Sequence, residues 1–227
     1  MKDSTLRALV DRLHQRSSEE GEALGRYFGE RIASGSLPPN TLDEAATRFL
    51  SDKLVALDRD KAEFCYRLCR ALRARRIVEV GSSYGVSTLY LAAAVRANID
   101  EDGGTGLVIA TENEPAKAAA ARRHFAEGGL SAFIELREGN LPDTLDDVTG
   151  PIDFVLVDVW VPVALPALKR LVSHLRRGAV VICDNTTMYR DAYAEYLDFV
   201  TESNGFTTMT LPFEGGLEFS VWVGSSF

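Results

Sequence analysis

Glycines, carboxylates and amides recur between residues 79 and 185 of this 227-residue chain, each just past a short apolar run. "EVGSSYGVST" (79–88) follows the first run. Gly81 permits a tight turn there, Gly85 lets backbone approach a ligand, and the start of the next helix favours a negative group. Ser83 stands where a G-x-G-x-x-G dinucleotide motif would need glycine, which argues against NAD. Glu112 closes the second run and is placed to hydrogen-bond both hydroxyls of a ribose. Asn140, in "EGN", stands where an adenine amino group could be read. Asp158 closes "IDFVLVD" and Asp184 with Asn185 closes "AVVICDN". Three oxygen ligands from adjacent strand ends suit a hard divalent cation such as Mg2+.

The elements that must position these residues alternate. Strands are expected at 76–81, 106–112, 132–139, 152–158 and 179–185, with helices at about 86–97, 114–127 and 165–177 between them. Near-continuous apolar strands separated by helices mean a parallel sheet covered on both faces, and ligands bind beyond its carboxyl edge. An aromatic-striped helix at 189–203 precedes two strands, "FTTMTLPF" and "LEFSVWVG", whose short connection makes one of them antiparallel. Tyr189, just past Asn185, is placed to line an acceptor pocket. Pro162 and Pro166 predict a late helix start near Ala164, leaving 159–163 as a loop over the site.

Before residue 76 the pattern is helical only. Ser17 with Glu20, and Thr41 with Glu44, have capping-box spacing and predict two helix starts, with "SGSLPPN" (34–40) between them. A helix at 59–73 carries Phe64, Leu68 and Leu72 on one face, with Cys65 and Cys69 on its apolar side. The expected division is a helical N-terminal extension, 1–57, and an α/β domain, 58–227.

Composition narrows the function. A net charge of −8 argues against nucleic-acid binding, and "RALRARR" (70–76) complements a helix end. Three cysteines without framework spacing fit a reducing compartment. No apolar run nears the ~18 residues of a membrane span, and "MKDSTLRALVDRL" lacks a signal-peptide core, so the expectation is cytoplasmic. His14, His124 and His174, beside arginines on predicted helices, read as surface residues.

Taken together, "EVGSSYGVSTLYLA", "TENE", "EGN", "LVDVW" and "RRGAVVICDN" resemble the class I S-adenosylmethionine-dependent methyltransferases. More narrowly they resemble the cation-dependent O-methyltransferases of the catechol and caffeoyl-CoA type, over about residues 55–227. The resemblance implies a Rossmann-like fold with a seven-stranded, mostly parallel sheet in the order 3-2-1-4-5-7-6 and helices on both faces. It implies that Glu79, Gly81, Ser83, Gly85 and Ser87 line the methionine part of the cofactor, that Glu112 holds the ribose and that Asn140 lies near the adenine. Asp158, also against the cofactor, would with Asp184 and Asn185 hold the cation, and Trp160 matches a residue beside the acceptor. It further implies a small hydroxylated, aromatic acceptor, and N-terminal helices that cap it or build a homodimer.

One position departs. The lysine that takes the acceptor proton in the catechol-type enzymes is Val161 here. A metal alone could acidify the acceptor, or the acceptor could already be ionised. Asp158, Glu214 or Glu218 could serve as the base instead. Or the chain binds cofactor with weak or absent turnover.

Overall fold

The computed structural model describes residues 3–38, 43–203 and 205–224. Its centre is one seven-stranded sheet: β1 (Arg76–Val80), β2 (Leu107–Glu112), β3 (Ile134–Glu138), β4 (Ile152–Val157), β5 (Leu175–Asp184), β6 (Phe206–Leu211) and β7 (Leu217–Trp222). The order is β3-β2-β1-β4-β5-β7-β6, as expected. The first five strands pair in parallel, and β7 runs antiparallel to both β5 and β6.

Alternate residues along each central strand enter different cores. Ile77, Phe154, Leu156, Val180 and Ile182 face one, while Val78, Val155, Val157, Val181 and Cys183 face the other. A strand buried on both sides has no polar face to alternate, hence the continuous apolar runs. The first core is covered by α3 (Arg59–Ala71), α4 (Val86–Asp102), α5 (Pro115–Glu127) and the first half of α1 (Ser4–Ala33). The second is covered by α6 (Leu141–Leu145), α7 (Val161–Leu171) and α8 (Ala194–Glu202). α4 lies between the sheet and the outer helices and is buried nearly all round. All three cysteines are free and buried. Among the described residues no helix is long and apolar enough to cross a membrane.

Several local expectations are corrected. Ser17 and Glu20 do not start a helix, because α1 runs unbroken through them for 30 residues from an Asp3 cap. Their side chains bind another segment instead: Ser17 Oγ accepts from the Ala56 amide at 3.0 Å and Glu20 Oε2 from the Leu54 amide. Thr41 lies outside the described residues; the second helix, α2 (Glu44–Leu50), is capped by Asp43, whose Oδ1 accepts from the Ala46 amide at 2.8 Å. α7 begins at Val161, so 161–163 is not a loop. Pro162 occupies the first turn, where its missing N–H costs nothing. α8 begins only at Ala194, leaving 189–193 in turns. On α3 the fully buried positions are Lys61, Ala62, Cys65 and Cys69, with Phe64, Leu68 and Leu72 only partly covered. The three histidines are half-buried, and His14 Nε2 lies 3.1 Å from the Tyr90 hydroxyl.

At the amino edge of the sheet one carboxylate holds three strands together. Asp153 Oδ2 accepts from the Arg75 and Arg76 amides at 2.8 and 2.9 Å, and Oδ1 accepts from the Arg176 guanidinium. Asp153→Ala strands two amides and a guanidinium. A loss of about 1–3 kcal/mol is expected, read in a thermal melt as about 2–4 °C per kcal/mol. An unchanged melt would show the triad to be dispensable.

Candidate active site

At the carboxyl edge the chain leaves β1 towards β2 on one side while β4 pairs on the other, and a cavity of about 970 Å3 opens there. The turn after β1 forms its floor. Gly81 has φ +90°, and a Cβ on it would lie 2.2 Å from the Asp158 carbonyl oxygen and 2.5 Å from Val159 Cγ1. Its amide donates to Thr111 Oγ1 at 3.1 Å, and the Asp158 amide donates to the Val80 carbonyl at 3.0 Å. The tips of β1, β2 and β4 are thus knit into one wall.

Ser83 is left-handed, at φ 48°, and its amide donates to Glu112 Oε2 at 2.7 Å; the Glu114 amide donates to Oε1 at 2.8 Å. Both carboxylate oxygens of Glu112 are held in place, and each keeps a lone pair for a ligand. Gly85 does not line the cavity. Its φ of +82° starts α4, and a Cβ there would meet the Phe125 ring at 2.4 Å, so its small size serves helix packing rather than ligand approach. Glu79 lies behind the wall, wholly buried. It accepts from the Thr88 hydroxyl, and its Oε1 has no partner.

The remaining expected residues converge: Gly81, Ser83, Ser87, Glu112, Asn140, Asp158, Trp160, Asp184, Asn185 and Tyr189 all line the cavity. Val161 joins them, and Trp160 meets Tyr189 edge-on, with ring centroids 6.3 Å apart. Glu214 and Glu218 are not at the wall: Glu214 is exposed, and Glu218 is buried in β7, accepting from Thr208 and Thr210.

Sequence reasoning missed three groups. Leu24, Phe28 and Ile32 of α1, with Leu50 and Leu54, form an apolar roof. Tyr193, 2% exposed, lines the wall and donates from its hydroxyl to the Val159 carbonyl at 3.3 Å. Lys61, 1% exposed, places Nζ 2.6 Å from Asp184 Oδ1 and 3.5 Å from Asp58 Oδ2. The signal for Lys61 was its spacing: positions 61, 65 and 69 make one buried stripe of α3.

Burial pushes the Asp158 carboxyl well above the usual carboxylate range, and the Asp184 and Glu79 carboxylates add to this while Lys61 opposes it. Burial likewise raises Asp184, with the Lys61 hydrogen bond pulling the other way.

Comparison with known proteins agrees with the fold. A family profile described as a methyltransferase domain matches residues 78–186, from β1 to just past β5. A catechol O-methyltransferase of Mycobacterium tuberculosis is 30% identical over 132 residues, covering 58% of this chain and 57% of that one. A catechol O-methyltransferase of Niastella koreensis is 26% identical over 148 residues, covering 62% and 64%. The chain therefore spans less than two thirds of the length of these two relatives. The crystal structure of the O-methyltransferase TomG from Streptomyces achromogenes, in complex with S-adenosylmethionine, shares the fold. Its TM-score is 0.69 at 23% identity, covering 86% of this chain and 96% of that one. By sheet order, matched segment and relatives, the chain carries a methyltransferase domain over residues 78–186, has the Rossmann-like methyltransferase fold, and resembles the catechol and caffeoyl-CoA O-methyltransferases.

Proposed function

We propose that this chain methylates an oxygen of a small hydroxylated, aromatic acceptor, using S-adenosylmethionine as donor. The observation that carries the proposal is that one cavity is lined by Gly81, Ser83 and Glu112, by Asp158, Trp160 and Tyr189, and by the apolar side chains of Leu24, Phe28 and Ile32. When bound, the donor supplies an electrophilic methyl group on a sulfonium.

The residues fit such a donor. Glu112 offers two fixed acceptor oxygens to a ribose, Asn140 stands at the adenine end, and the Gly81 turn leaves room that any side chain would fill. Ser83 and Ser87 flank the methionine part. Glu79 supports that wall through Thr88. In the same cavity, Trp160 and Tyr189 present ring edges and faces that suit an aromatic acceptor. The acceptor oxygen attacks the methyl carbon, the carbon–sulfur bond breaks towards sulfur, and the acceptor proton departs. Catalysis is mainly alignment. Of Asp158, Glu214 and Glu218, Asp158 alone lines the cavity, so it is the residue assigned to receive that proton. The extension 1–57 supplies the roof over the acceptor. No step runs through a divalent cation, because Asp184 is already ion-paired with Lys61.

Calorimetry with S-adenosylhomocysteine is expected to give micromolar binding, and Glu112→Ala to weaken it about tenfold or more. No detectable binding would sink the proposal. Methyl transfer to a catechol is the second readout. If the parent binds the donor product but turns over no catechol, and Val161→Lys creates turnover, the chain is a binder with a lapsed active site.

Glu79 adds a pH dependence. Burial pushes its carboxyl from 4.5 up to about 7, against the Ser87 and Thr88 hydroxyls that favour ionisation. Between those values the folded state holds a proton that the unfolded chain has released, so the contribution of Glu79 to stability is full below pH 4.5 and is lost as pH rises through about 7. For the ligand-free protein this contribution lowers the melting temperature between pH 5 and 8. Glu79→Gln is expected to flatten the decline; an identical slope would assign it to other groups.

A further inference from the structure

Building on the methyltransferase reading, we propose that the Lys61 ammonium, rather than a divalent cation, neutralises and positions the carboxylates at the tips of β4 and β5. Lys61 comes from α3, outside the strand-end motifs, and is buried against the sheet. A lysine this buried needs a counter-charge, and it has Asp184 Oδ1 at 2.6 Å and Asp58 Oδ2 at 3.5 Å. The other members of its helix stripe, Cys65 and Cys69, carry no charge that could take its place.

Asp158, Asp184 and Asn185 are the right ligand types for a hard cation. Such an ion requires carboxylate oxygens with free lone pairs and no competing cation. Here one Asp184 oxygen already accepts from an ammonium. A divalent ion on the same carboxylate would bring two positive centres together in a buried site, where their repulsion is poorly screened. Lys61 thus already supplies the positive charge that a metal would bring to Asp184. Lys61 does not line the cavity, so it acts through Asp184 as a positioning residue: it fixes that carboxylate at the wall and offsets the charge beside Asp158.

The test titrates Mn2+, followed by electron paramagnetic resonance, into chelator-stripped full-length protein saturated with S-adenosylhomocysteine. The parent is expected to leave Mn2+ free. Lys61→Met is expected to bind it roughly tenfold or more tightly than the parent, Lys61→Arg to behave as the parent, and Lys61→Met with Asp184→Asn to lose the gain. A parent that takes up one Mn2+ per chain, released by Asp184→Asn, overturns the proposal, and so does a folded Lys61→Met that gains no affinity. The parent titration decides even where Lys61→Met does not fold. Failure of S-adenosylhomocysteine to bind would sink the methyltransferase reading instead, while the Mn2+ titration would still report on Lys61.

Discussion

The closeness of the β1 and β4 tips governs this molecule. Gly81 sits so near the Asp158 carbonyl that a methyl group would overlap it, while the Asp158 amide holds the last carbonyl of β1. Because β1 must also accept β2 on its other side, the turn after it has one way out, and it leaves through a left-handed Ser83. That turn aims the Ser83 amide at Glu112 and starts α4 directly behind the cavity. The cleft follows from sheet geometry, and its chemistry from which residues end the strands.

A second constraint acts from outside the sheet. The N-terminal helices pack into the first core through Leu6, Leu9, Val10 and Leu13, and their far ends roof the cavity. Ser17 and Glu20 of α1 bind the amides of Ala56 and Leu54, and the Tyr84 hydroxyl binds the Asp52 carbonyl at 2.7 Å. The roof is thereby tied both to the helix above it and to the glycine turn below. α3 follows directly and delivers Lys61 to Asp184. The roof of the cavity and the charge paired with Asp184 thus both depend on the stretch before the first strand.

Much of this could be read along the chain. Apolar runs without alternation meant strands buried on both faces, and Val78 and Ile77 entering different cores is the physical form of that statement. Residues at strand ends must gather at one edge of a parallel sheet, so Gly81, Glu112, Asp158 and Asp184 were legible as neighbours. Local signals misled where a side chain had a distant use. The Ser17–Glu20 spacing mimics a cap because both residues are hydrogen-bond acceptors, yet their partners are the amides of Ala56 and Leu54. Pro162 read as a delay to α7, although the first turn of a helix tolerates proline.

The sequence alone determined the sheet, its order by resemblance, and the set of groups at its carboxyl edge, because those depend on period and on position relative to each strand. Only the tertiary structure decided what those groups touch. Lys61 meets Asp184 across 123 residues, Glu79 turns inward behind the wall, and Gly85 makes room for Phe125. A side chain's partner is set by how helices pack on the sheet, and no local pattern encodes that packing.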